Sequence, residues 1–217
     1  MYKNLPNALT ILRLVLAGVF FVTLNQFRYI RDHESNWILW TAMGIFIVAM
    51  LTDVADGYLA RRWKVESTFG RIMDPVVDKV MILGALIYLA GPRFIDPDVV
   101  TNEDHLLFNM VPGNMVSGFY PWMVAVVLVR ELLVTAVRSE LETSGTKFGA
   151  KLHGKLKALI QSMVIPFILG IVALDPNLEG HGWMVYVRNV LVYTMVLVTV
   201  LSGLPYLMHA AKVLKEK

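Results

Sequence analysis

Residues 51–79 read LTDVADGYLARRWKVESTFGRIMDPVVDK, with Asp53 and Asp56 three apart and Asp74 and Asp78 four apart. Residues three or four apart share one face of a helix. Each pair therefore forms a carboxylate stripe. The first pair ends the apolar run 37–60, and the second opens the apolar run 72–91. A short polar turn joins the two runs, so the stretch reads as a membrane hairpin with acidic groups on both arms. Ionisable groups in apolar spans are costly and mark function rather than stability.

Working outward, the same length of apolar run recurs. A helix crossing the hydrocarbon core needs about 20 mostly apolar residues. The runs lie at about 6–26, 37–60, 72–91, 117–141, 154–174 and 184–209. They occupy more than half of the 217 residues, and the chain is 56% hydrophobic and 17% charged. Its mean hydropathy is +0.58. The expectation is an all-α integral membrane protein of six transmembrane helices, forming a single membrane domain over 1–217. This composition excludes a disordered chain, a basic nucleic-acid-binding domain and an ordinary cytosolic enzyme. The absence of cysteine excludes a disulfide framework, a thiolate zinc site and a cysteine nucleophile. The first run is too long for a signal-peptide core and no small-residue cleavage site follows it.

Lys and Arg distribution sets orientation. Twelve of them (Lys3, Arg61, Arg62, Lys64, Arg71, Lys147, Lys151, Lys155, Lys157, Lys212, Lys215 and Lys217) fall on the side holding both termini. Four (Arg28, Arg31, Arg93 and Arg188) fall on the other. Both termini, and with them the acidic hairpin turn, are therefore expected on the cytoplasmic side of the cell membrane. Trp37, Trp63, Trp122 and Trp183 stand near the expected span ends, as interfacial anchors do. The longest connection, 92–116, is broken by Pro92, Pro97, Pro112 and Gly113, and Val99 to Val111 has the makings of a short interfacial helix. The five histidines have no ligand spacing on any helix, and the methionines read as apolar filler.

Four converging carboxylates repel one another and take up protons unless positive charge sits among them. Carboxylate oxygens suit Mg²⁺ or Mn²⁺. Four carboxylates serve two such ions better than one, and a metal pair can hold both ends of a phosphoryl transfer. Either Asp pair alone would read as helix-end charge balanced by Arg61, Arg71 and Lys79. Gly57 leaves the backbone open beside Asp56. Arg61 lies one turn further on the same face, where it can pair with a phosphate.

Asp53, Asp56, Gly57, Ala60, Arg61, Gly70, Asp74 and Asp78 spell D-x2-D-G-x2-A-R-x8-G-x3-D-x3-D. This resembles the signature of the CDP-alcohol phosphatidyltransferase family. The resemblance implies six transmembrane helices, two divalent cations, a CDP-diacylglycerol donor in a lipid setting, and a homodimer. It implies that an alcohol hydroxyl attacks the phosphorus attached to diacylglycerol and that CMP leaves. Carried onto this chain, it makes Asp53 and Asp74 ligands of both metals, Asp56 of the first and Asp78 of the second. Asp78 is also the implied general base. Gly57 and Arg61 fall to the CDP part, as do Ser67 in the loop and Asn7 and Thr10 in the first span.

The opening Asn4-Leu5-Pro6-Asn7-Ala8-Leu9-Thr10-Ile11-Leu12-Arg13 resembles that of the family branch making phosphatidylglycerophosphate. Arg13 stands about two turns into an apolar run and needs a partner inside the bundle. Arg130, Arg138, Lys155 and Lys157 would suit an acceptor carrying its own phosphate, such as glycerol 3-phosphate. Glu131 is placed to neutralise Arg130. Two alternatives stand beside this reading. One is the same chemistry on another alcohol, such as inositol phosphate, serine or phosphatidylglycerol. The other is a divalent-cation transporter, which would often show inverted repeats and midplane helix breaks; the sequence has no visible repeat.

Overall fold

The computed structural model describes residues 5–29, 36–63, 68–96, 115–143, 152–174 and 182–208. They form α1 (Leu5–Gln26), α2 (Asn36–Trp63), α3 (Thr68–Leu89), α4 (Pro121–Thr143), α5 (Leu152–Leu174) and α6 (Gly182–Leu201). A 3₁₀ turn, Pro92–Phe94, follows α3. The six long helices coincide with the six apolar runs to within a few residues at most ends, and the sixth run continues past the turn that ends α6 to Met208. The expected interfacial helix from Val99 to Val111 lies outside the described residues.

Four stretches are long and apolar enough to cross a membrane: Asn7–Gln26, Asn36–Gly57, Leu156–Leu174 and Gly182–Met208. The helices α3 and α4 carry more charge. Arg71, Asp74, Asp78 and Lys79 crowd the first half of α3, and Arg130, Glu131, Arg138 and Glu140 lie along α4. The outer faces are apolar, with Val22, Leu51, Leu132, Phe167 and Tyr186 all exposed. Trp37, Trp122 and Trp183 are exposed near helix starts, as interfacial anchoring requires. This is a multi-pass membrane architecture.

One helix organises the site. α1 packs against both α2 and α3. The expected direct packing of α2 on α3 is not among the substantial helix contacts of the described residues, because α1 fills that position. Phe20 of α1 meets Phe46 of α2 with ring centroids 5.5 Å apart. On the other side, Phe21 of α1 stacks on Tyr88 of α3 at 5.6 Å and 8°. Gly84 makes that approach possible, since a Cβ there would run into the Phe21 ring. Gly84→Ala should therefore push α1 off α3 and cost about 1–3 kcal/mol, the usual range for overpacking. A thermal melt in detergent checks this, and an unchanged midpoint would show that Phe21 yields freely.

Away from the carboxylates, Arg188 of α6 closes the far end. It is buried, and its Nη1 donates to the Val116 carbonyl at 2.9 Å. It also occupies the space beside Gly118, whose φ of +74° favours glycine. Arg188 is thus a structural cation satisfied by backbone carbonyls.

Candidate active site

The centre of the site is Arg13. Its side chain projects from α1 into the bundle and is 3% exposed. Helical spacing aims Asp53 and Asp56 from α2, and Asp74 and Asp78 from α3, at this one guanidinium. Nη1 donates to Asp53 Oδ1 and, at 2.8 Å, to Asp78 Oδ1. Nη2 donates to Asp74 Oδ1 at 2.6 Å and lies 3.6 Å from Asp56 Oδ2. Thr10, one turn earlier on the same face of α1, donates to Asp74 Oδ1 at 2.9 Å. Pro75 sits inside α3 between Asp74 and Asp78. Lacking an N–H, it breaks the hydrogen-bond ladder at the level of the carboxylates.

The four Asp residues thus converge, as their spacing implied, and they do so around a cation that the chain itself supplies. The sequence indicated only that Arg13 needs a partner. Its partners lie 40 to 65 positions away, beyond the reach of any local pattern.

Among the described residues, no three carboxylate or imidazole groups stand ready around a common metal position. The donor set nevertheless fits a hard divalent cation. Four carboxylates lie within reach of one guanidinium. Asp56 is 4% exposed, and its Oδ1 has no hydrogen-bond partner. A buried anionic oxygen left this way is costly unless a cation takes it.

Beside the carboxylates opens a cavity of about 570 Å³ between α1, α2, α3 and α5. Arg13, Asp53, Gly57 and Asp78 line its polar end, while Met50, Val77, Met81 and Leu159 line its apolar part. The Asp78 side chain is 49% exposed and accessible to an incoming group. Gly57 lines this cavity with no side chain to fill it. Asn7 lies one turn before Thr10 on α1 and is partly buried. Arg61 lies within α2 and Lys155 within α5, but their side chains are outside the described residues, as is Ser67.

The expected basic cluster is organised differently from its sequence reading. Arg130 Nη1 donates to Glu131 Oε1 at 2.9 Å, and Lys157 Nζ donates to the same oxygen. Arg130 Nη2 donates to Ser202 Oγ at 2.7 Å, tying α4 to the chain just past α6. Arg130 lines a separate apolar groove of about 350 Å³ between α4 and α6, away from the four Asp. Arg138 is exposed on α4, two turns beyond Glu131. Lys157 lies within electrostatic reach of Lys79, which neighbours Asp78 and donates to Thr135 Oγ1 at 2.7 Å. Of the expected acceptor residues, the structure therefore brings Arg130 and Lys157 together at Glu131.

A membrane bundle with four convergent carboxylates beside a cavity suits a metal-assisted transferase acting on lipid. The model of the CDP-alcohol phosphatidyltransferase family matches residues 3–201, and the chain belongs to that family, an enzyme family of a divalent-cation-dependent kind. Among its relatives is the CDP-diacylglycerol–glycerol-3-phosphate 3-phosphatidyltransferase of Cereibacter sphaeroides, 32% identical over 86% of this chain and 74% of its own length. The Bacillus subtilis enzyme of the same name is 32% identical over 76% of each chain. That of Escherichia coli K12 is 28% identical over 97% of this chain and 96% of its own.

Proposed function

We propose that this chain transfers the phosphatidyl group from CDP-diacylglycerol to glycerol 3-phosphate, releasing CMP and forming phosphatidylglycerophosphate. Relatives that match 76 to 97% of the chain carry that activity in their names. The observation that carries the chemistry is the meeting of Asp53, Asp56, Asp74 and Asp78 beside a 570 Å³ cavity with one polar and one apolar end. A donor lipid has the same two-ended character.

The four Asp residues hold two divalent cations, Mg²⁺ or Mn²⁺. Bound there, such ions supply neutralisation of the charge on the transferring phosphate. The protein groups do the rest. Thr10 fixes the rotamer of Asp74 from α1. Gly57 leaves room for the diphosphate along α2, and the family resemblance implies that Asn7, Thr10, Arg61 and Ser67 serve the nucleotide part. Asp78 accepts the proton of the attacking hydroxyl as its oxygen bonds to the phosphorus that bears diacylglycerol. The bond from that phosphorus to the CMP oxygen breaks.

The Glu131 network favours a phosphorylated acceptor. One carboxylate there faces two cations, and all three side chains are about nine-tenths buried. The surplus positive charge, in a medium of low dielectric, is a favourable place for an anion. Lys157 and Arg130 are the inner contacts for the acceptor phosphate, with Lys155 and Arg138 nearer the loop between α4 and α5. All six helices cross the cell membrane as one unit, 1–217, with both termini and the carboxylates toward the cytoplasm. The resemblance further implies a homodimer.

Purified protein given CDP-diacylglycerol should release CMP only with a divalent cation and an alcohol acceptor, and fastest with glycerol 3-phosphate. Chelation should stop release, and cation should restore it. CMP release that persists in chelator would remove the metal reading, and a preference for serine or inositol phosphate would remove the acceptor.

A further inference from the structure

Arg13 has the position of a cation and not that of a spectator. Among the described residues it is the one cation paired with all four carboxylates, and its side chain is 3% exposed. Yet it is poorly matched to a permanent structural role. Its Nε is buried with no hydrogen-bond partner, and so is Asp56 Oδ1 across from it. One guanidinium offsets only one of four carboxylate charges, so the cluster stays strongly anionic and attracts further cations. Permanent buried cations look different in this same chain. Arg188 is satisfied by carbonyls and by Asn189. Arg13 also lines the 570 Å³ cavity, so the guanidinium has open space beside it into which to withdraw.

We infer that Arg13 is an exchangeable counter-cation: it holds the four carboxylates together in the metal-free protein, and divalent cations must displace it to bind. The inference rests on the metal-ligand reading above and deepens it. Without Arg13, four carboxylates at membrane depth would repel one another or take up protons. With it, the helices α1, α2 and α3 stay assembled before any metal arrives. The cost is competition. If the guanidinium occupies the carboxylates more than about nine-tenths of the time, apparent metal affinity falls by about tenfold or more. Once displaced into the cavity, the guanidinium is free to face an anionic substrate, so metal entry and phosphate binding become favourably linked.

The test measures Mn²⁺ binding by electron paramagnetic resonance, and thermal stability, on purified protein in detergent. Arg13→Gln should bind Mn²⁺ about tenfold or more tightly than wild type. Its melting temperature should fall in chelator and match wild type in saturating Mn²⁺. Wild-type or weaker Mn²⁺ affinity, or a melting temperature lowered equally in both conditions, would overturn the exchange, because Arg13 would then be a fixed structural cation. Arg13→Lys covers the case in which Arg13→Gln does not fold. A single ammonium reaches fewer carboxylates, so its Mn²⁺ affinity should lie above wild type, and an unchanged value again overturns the inference. Asp74→Asn separates the two layers. Undiminished Mn²⁺ binding there overturns the ligand reading itself, whereas binding lost there and not tightened in Arg13→Gln overturns the exchange alone.

Discussion

Asp78→Asn should lower turnover by at least ~10²-fold, the low end of general-base effects, while leaving the protein folded. The substitution keeps the size of the side chain and an oxygen able to accept the 2.8 Å hydrogen bond from Arg13 Nη1. It removes the negative charge that takes up the hydroxyl proton and that helps hold a cation. The side chain is about half exposed, so the folded state loses little from the change. The loss should appear in kcat with the KM for CDP-diacylglycerol nearly unmoved, since the apolar wall of the cavity is untouched. Near-normal turnover in this variant would remove Asp78 from proton transfer and leave it as one more anion around Arg13.

That prediction was available from the sequence because the family resemblance implies the base role of Asp78, and local periodicity groups it with Asp74. Spacings of three and four fix which Asp residues share a helix face, and apolar runs of about 20 residues locate membrane helices. Both features are short-range, and the helices lie where the runs are. What the sequence did not disclose depends on which helix lies beside which. Nothing in residues 51–79 indicates that α1 comes between α2 and α3, or that Thr10 and Arg13 reach across to the carboxylates. The only trace was a cation two turns into an apolar run, where an unpaired charge is too costly to stand alone. Glu131 gave a comparable trace. Its place next to Arg130 pointed to neutralisation, but the second partner, Lys157, comes from another helix and is 26 residues away. Residues whose roles are set by neighbours on their own helix were legible, whereas those set by partners on other helices were not.

The Glu131 network leads to the second large effect. Lys157→Met should lower kcat/KM for glycerol 3-phosphate by roughly 10- to 150-fold, taking a charged hydrogen bond at ~1.5–3 kcal/mol and about 1.36 kcal/mol per tenfold. Methionine keeps the apolar stem of the side chain packed. Glu131 also keeps its 2.9 Å partner Arg130, so no buried carboxylate is abandoned. The fold should therefore survive and the KM for CDP-diacylglycerol should stay near wild type, because the four carboxylates and their cavity are not altered. Arg130→Lys tests the same phosphate with a different readout. Lysine retains the charge but cannot hold Glu131 and Ser202 together as the guanidinium does, so it should rescue only part of the loss seen with a neutral residue. Lys147→Ala and Lys151→Ala are the controls, since these two charges read in the sequence as positive-inside residues and should change activity little and for both substrates alike. Equal losses for donor and acceptor in Lys157→Met would mean that the network merely holds α4, α5 and α6 together. The acceptor assignment would then lose its structural support, while membership of the family would stand, because it rests on eight fixed positions from Asp53 to Asp78 and on a match over residues 3–201.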